Sequence, residues 1–295
     1  MTRGWLIGCV AVALTTTLAG GVAPPKELVK ARLLADTTAI KPGEPFTVGV
    51  LLKIEPAWHV YWKNPGDSGL PTRVKWTLPE GFSAGELQYP LPTHFDQPGD
   101  IAGFGYEDEV MLLATITPPV ELDASDTHEI AALVTYLACD DICVPGKQTV
   151  SVTLPVEPAV AAKPANVEAF EPWRSRLPVD GGNAGSPVTA ECSGTVGGAW
   201  SRFTVALRSP QALNDVQVFL GDTDAVDVKD ITVEPAGERV NVRFQARVFP
   251  GQTPKISVLP VLVTYRVSGH DRAGVSVDVP LGISPQPKTP EGGSS

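Results

Sequence analysis

The chain has 295 residues, 43% of them apolar, with a formal net charge of −10 and no run of Lys or Arg. That length suits about two domains, and the apolar content excludes wholesale disorder. The lack of clustered basic residues excludes phosphate-backbone binding, so no nucleic-acid partner is expected. The 28 glycines and 29 prolines, set among many Val and Thr, point to short strands and turns in place of long helices.

In chain order, residues 1–23 read as an export signal. Arg3 precedes an apolar stretch from Trp5 to Leu18, and small residues follow to Ala23. The stretch is shorter than the ~20 residues that span a bilayer. Cleavage after Ala19 or Ala23 is therefore expected over retention as an anchor, which implies a soluble mature protein exported to a compartment where disulfides persist. From residue 24 to 156, strand-like runs recur: Phe46 to Ile54, Trp58 to Trp62, Arg73 to Leu78, Val110 to Thr117, Ile130 to Ala138 and Gln148 to Val156. Turn clusters such as Lys41-Pro42-Gly43-Glu44 and Pro79-Glu80-Gly81 separate them. The stretch from Gln88 to Tyr106, with Pro90, Pro92, Pro98 and Gly99, shows no alternation and reads as a long surface loop.

Residues 157–186 turn to Pro, Ala and Gly and read as a linker, with one short helical turn around Val167 to Arg174. A second strand series fills 187–283. Its clearest member is Arg239 to Phe249, where Val240, Val242, Phe244, Ala246 and Val248 alternate with polar residues, one face buried and one wet. Residues 284–295 are polar and rich in Pro and Gly, so disorder is expected. The fold class is therefore all-β: two immunoglobulin-like antiparallel β-sandwich domains in tandem.

Cysteine usage narrows the function. Cys9 leaves with the signal, and the remaining three, Cys139, Cys143 and Cys192, are an odd number for an exported protein. Cys192 lies in phase with Val188 and Ala190, which suits a buried, unreactive thiol. A strand arrives at Cys139, three residues turn, and Cys143 begins the next strand. Opposed positions at such a hairpin mouth fall within disulfide range. A bridge closing so small a loop is a weak staple and is better suited to opening and closing. Asp140 and Asp141 would disfavour the thiolate and keep the pair quiet until a partner docks. Spacing alone leaves three readings open: an exchange-active pair, a structural hairpin bridge, and a copper-binding pair joined by His59 or His94. No resident cofactor, metal or small-molecule substrate is expected. No Ser-His-Asp arrangement, phosphate loop or metalloprotease spacing is present in the sequence.

Three segments carry a family resemblance: Trp58-His59-Val60-Tyr61-Trp62-Lys63-Asn64-Pro65-Gly66-Asp67-Ser68-Gly69-Leu70-Pro71-Thr72, Gly105-Tyr106-Glu107-Asp108-Glu109-Val110, and Cys139-Asp140-Asp141-Ile142-Cys143-Val144-Pro145-Gly146. In this order they resemble motifs of the N-terminal periplasmic domain of the disulfide-interchange transporter DsbD, in the variant found in ScsB. The resemblance covers about residues 26 to 156 and extends more loosely through the second sandwich. It implies an immunoglobulin-like redox domain that takes electrons from a membrane thiol relay and hands them to periplasmic thioredoxin-fold proteins. By motif position, Cys143 would attack the partner and Cys139 would resolve the mixed disulfide. Tyr61 and Tyr136 fall where the family places aromatics near the sulfurs, and His59 occupies a position that is aromatic in DsbD itself. The Gln88 to Tyr106 segment falls where the family has a shielding cap, with Phe95, Phe104 and Tyr106 as its candidate side chains. DsbD and ScsB continue into a membrane domain and a thioredoxin-like domain, which these residues do not include. Either the relay is then a separate polypeptide or the circuit is lost. The alternatives are a non-catalytic two-domain binding module with a structural disulfide and, compatible with either reading, a copper-handling role.

Overall fold

The computed structural model describes residues 27–97, 101–157, 162–182, 188–196, 199–221, 223, 225–236, 238–249, 252, 256–267 and 271–282. The expected signal, the tail and the ends of the linker lie outside the described residues.

Among the described residues, ten strands build the first sandwich: β1 (Val29–Ala35), β2 (Phe46–Ile54), β3 (His59–Gly66), β4 (Arg73–Thr77), β5 (Ser83–Ala84), β6 (Thr93–Gln97), β7 (Ile101–Glu107), β8 (Glu109–Thr117), β9 (Thr127–Cys139) and β10 (Cys143–Pro155). One sheet has the order β1-β2-β8-β5, and the other β10-β9-β3-β7-β6. β9 is long enough to serve two neighbours on one edge: β4 pairs with Thr135 to Ala131, and β3 with Cys139 and Ala138. The strand therefore carries its C-terminal cysteine out to the end of the sandwich.

β2 and β8 are apolar on both faces, which erases their alternation, because both faces are covered. Val48, Val50 and Leu52 face the core. The other face receives the helix α1 (Val167–Arg174), whose Phe170 and Trp173 lie one turn apart and are buried. Gly49 leaves the space for this, since a Cβ there would sit 2.4 Å from the Met111 sulfur and 3.1 Å from the Phe170 ring. The expected helical turn is thus a packed element of the first core.

The second sandwich contains β11 (Val179–Asp180), β12 (Thr189–Thr195), β13 (Ser201–Arg208), β14 (Leu213–Leu220), β15 (Val226–Ala236), β16 (Arg239–Val248), β17 (Val258–Val267) and β18 (Arg272–Pro280). Its sheets run β11-β18-β17-β14 and β12-β13-β16-β15. β16 behaves as its alternation requires: Val240, Val242, Phe244 and Ala246 are buried in this core. The all-β, tandem-sandwich class expected from the sequence is the class observed.

Residues 88–106 depart from expectation. In place of a long loop, β6 and β7 form an antiparallel hairpin with Thr93 opposite Gly105, His94 opposite Phe104 and Phe95 opposite Gly103. Gly103-Phe104-Gly105-Tyr106 is in fact period two, with glycine as one face; the alternation is hidden because that face has no side chains. A Cβ at Gly103 would lie 2.1 Å from the Phe95 ring, so the ring rests directly on the glycine backbone.

This hairpin also meets the second sandwich. The Phe219 ring, fully buried, sits 5.0 Å from Phe104 and 6.1 Å from Trp62 in T-shaped contacts. The Arg272 guanidinium lies over Phe219 and donates to the Pro92 carbonyl. Asn64 donates to the carbonyls of Leu220 (3.0 Å) and Gly221 (2.8 Å).

Candidate functional site

β9 and β10 pair without a break from Thr127–Pro155 to Cys139–Cys143. A disulfide joins the two cysteines of that last pair, with Cα atoms 4.2 Å apart. The three-residue turn closes with the Asp140 N–H donating to the Ile142 carbonyl at 3.0 Å. A bridge across so short a loop restrains the unfolded chain by only about 2 kcal/mol, and the hairpin already holds its ends together.

The two cysteines differ sharply in access. Cys139 is 1% exposed, whereas Cys143 is exposed, as are Asp140 and Asp141. Beside Cys143 the tip presents apolar side chains to solvent: Ile142 is 65% exposed and Val144 is also exposed. An incoming group therefore reaches Cys143 first and finds an apolar seat rimmed by two carboxylates.

Behind the buried cysteine lies a ring cluster. His59 is directly opposite Cys139 across β3 and β9, and opposite Glu107 across β3 and β7. Directly opposed residues share a face of the sheet, and Tyr61, two residues on, shares it too. The His59 and Tyr61 rings meet edge-on at 5.2 Å. Phe95 closes over both, 4.2 Å from His59 and 6.0 Å from Tyr61. Gly69, at φ +108°, lets the following loop lie against the Tyr61 ring; a Cβ there would be 2.4 Å from it. Burial holds the His59 pKa below its usual 6.5, and the Asp140 carboxylate pulls it partly back. The His59 Nε2 is buried and has no hydrogen-bond partner among the described residues.

Three expected site residues are placed elsewhere by strand parity. Tyr136 shares its face with Ala138 and Val134, opposite to Cys139. Its ring lies on Gly146, and its hydroxyl accepts a 2.8 Å hydrogen bond from Gln148, whose amide also bonds the β1 backbone at Ala31 and Val29. Tyr136 thus ties the hairpin to its neighbour. Tyr106, opposite Val60, is buried in the core; its hydroxyl donates to the Pro90 carbonyl at 2.8 Å, and burial raises its pKa well above the usual value. Phe104 contacts His94 and Phe219. Of the three candidate shielding side chains, Phe95 alone joins the cluster behind Cys139. Gly69 and Gly103, which seat that cluster, were not singled out from sequence; the Gly-x-Gly alternation at 103–105 was the available signal.

Cys192 is half-buried, less enclosed than expected, and its burial raises the thiol pKa. Among the described residues, no three or more His, Cys, Asp or Glu side chains converge in a way that could hold a metal ion. Among the same residues, no helix is long and apolar enough to cross a membrane.

The family model described as thiol:disulfide interchange protein DsbD, N-terminal, matches residues 28–155. Among solved structures, the N-terminal periplasmic domain of ScsB from Proteus mirabilis has a similar fold. It is 18% identical with a TM-score of 0.59, and the match covers 88% of this chain and 96% of that one. A protein of unknown function from Porphyromonas gingivalis W83 matches 86% of this chain and all of its own at 14% identity, with a TM-score of 0.25, too low to carry weight. No curated protein sequence matches the chain.

Proposed function

With residues 28–155 forming a domain of the DsbD N-terminal type, we propose that the protein exchanges electrons with other thiol proteins through Cys139 and Cys143. The observation that carries this reading is the asymmetry of the bridge: an exposed Cys143 and a buried Cys139 at the tip of one hairpin. In the reduced protein, the Cys143 thiolate attacks a partner disulfide and forms a mixed disulfide. Cys139 then attacks the Cys143 sulfur, releasing the partner as a dithiol and restoring the internal bridge. The reverse sequence reloads the pair from a donor dithiol.

In line with the resemblance to the DsbD N-terminal family, the setting is the periplasm, the donor a membrane thiol relay and the acceptors thioredoxin-fold proteins. In this reading residues 24–156 are the redox domain, 157–186 the linker and 187–283 the second sandwich. Phe95 screens the buried half of the pair, and Ile142 and Val144 give the partner an apolar contact, with Asp140 and Asp141 at its rim.

The test is to express Cys139→Ser in the periplasm and identify proteins trapped through Cys143. Thioredoxin-fold proteins or a membrane thiol carrier should be recovered. An empty trap, together with a wild-type reduction potential below about −300 mV, would reduce the bridge to a structural bond.

A further inference from the structure

We propose that His59 is the proton acceptor for the Cys139 thiol when Cys139 resolves the mixed disulfide, an inference that rests on the exchange reading above. Cys139 is nearly inaccessible, and the Phe95 and Tyr61 rings pack against the His59 ring. A thiol in that position cannot lose its proton directly to bulk water, so a group of the protein must take it. His59 is the residue opposite Cys139 in the pairing of β3 with β9. Directly opposed Cβ atoms are about 4.5–5.5 Å apart, within reach of imidazole and sulfur.

The unpaired Nε2 fits this role. Buried polar atoms are nearly always hydrogen-bonded, yet this one has no partner among the described residues when the pair is oxidised. A disulfide sulfur has no proton to offer. Reduction creates an S–H donor on Cys139, the residue paired with His59 across β3 and β9, and so offers the orphaned nitrogen a partner that the oxidised pair lacks. The titratable groups around His59 suit a transient imidazolium: Asp140 on the turn after β9, Glu107 opposite it on β7, and Tyr61 on its own strand. From β6 the uncharged Phe95 packs on the His59 ring. Burial keeps the imidazole neutral at neutral pH, ready to accept.

The step balances. The Cys139 proton moves to Nε2, the Cys139 sulfur attacks the Cys143 sulfur, and the bond from Cys143 to the partner sulfur breaks. The partner leaves as a thiolate with the electron pair of that bond and takes up a proton. His59 later releases its own proton to solvent.

The test needs no natural partner. The reduced full chain, carrying Cys9→Ser and Cys192→Ser so that only the pair reacts, is mixed with excess 5,5′-dithiobis(2-nitrobenzoate). The first thionitrobenzoate released reports attack by Cys143, and the second reports resolution by Cys139. The second rate is followed across pH in wild type, His59→Phe and His59→Gln. Phenylalanine keeps the ring packing, and glutamine keeps a hydrogen bond without accepting a proton. Both variants should resolve about three- to tenfold more slowly at neutral pH, with the rate rising only at higher pH, while the first release stays within about twofold of wild type. Wild-type resolution with an unchanged pH profile in both variants would overturn the proposal, as would full rescue by His59→Gln. Release of a single equivalent by wild type would instead overturn exchange through the pair itself.

Discussion

Gly103→Ala isolates the seating of Phe95. A Cβ at Gly103 would lie 2.1, 2.6 and 2.9 Å from three carbons of the Phe95 ring. Carbon atoms pack at about 3.5–4.0 Å, so the ring must be pushed aside by more than about 1 Å. Two ring contacts hold it, with His59 at 4.2 Å and Tyr61 at 6.0 Å, each worth about 0.5–1.5 kcal/mol. Displacement therefore costs about 1–3 kcal/mol, the usual range for overpacking. Alanine inside a strand returns about 0.5–1 kcal/mol relative to glycine. The net expectation for the single variant is a loss of about 0.5–2 kcal/mol in urea unfolding. In a Phe95→Ala background the obstacle is gone, and the same Gly103→Ala change should stabilise by about 0.5–1 kcal/mol. The double-mutant cycle should then show a coupling of about 1–3 kcal/mol between positions 95 and 103. An equal effect of Gly103→Ala in both backgrounds would refute the seating of the ring on the glycine.

Phe219→Ala should cost about 3–5 kcal/mol, because the ring is fully buried between Trp62, Phe104 and Arg272; the check is urea unfolding followed by Trp emission. Tyr136→Phe removes one hydrogen bond to Gln148 and should lower stability by about 0.5–1.5 kcal/mol without slowing exchange, since this ring faces away from Cys139. The depressed His59 pKa sets a pH dependence. The unfolded chain binds the proton at higher pH than the folded one, so this contribution is complete above 6.5 and is lost as pH falls from 6.5 toward the lower folded value. Thermal midpoints should accordingly drop more on acidification in wild type than in His59→Phe.

Much of this architecture was legible in the residues. The bounds of β2 follow directly from its apolar run, and the buried face of β16 from its alternation. The disulfide pair was legible because two cysteines separated by three turn residues have few other geometries. Strand parity was the missing step for Tyr136, Phe104 and Tyr106. A residue one position out of phase with Cys139 is on the other side of the sheet, however close it is along the chain. The β6–β7 hairpin was hidden for a different reason: prolines at 90, 92 and 98 precede and interrupt it, and glycine leaves no hydrophobic mark on the face it vacates. The Phe219 contact joins segments far apart in sequence, and nothing local announces it.

The β6–β7 ribbon has one side turned toward the cysteine pair and the other pressed on the second sandwich. Cutting the chain between the sandwiches would uncover Trp62 and Phe104 together and remove the Arg272 anchor at Pro92. The excised fragment would keep both cysteines yet carry a sticky aromatic flank and a screen hinged at one side only. Rates measured on such a fragment would describe an unlatched door, and the intact chain is the proper object for redox kinetics.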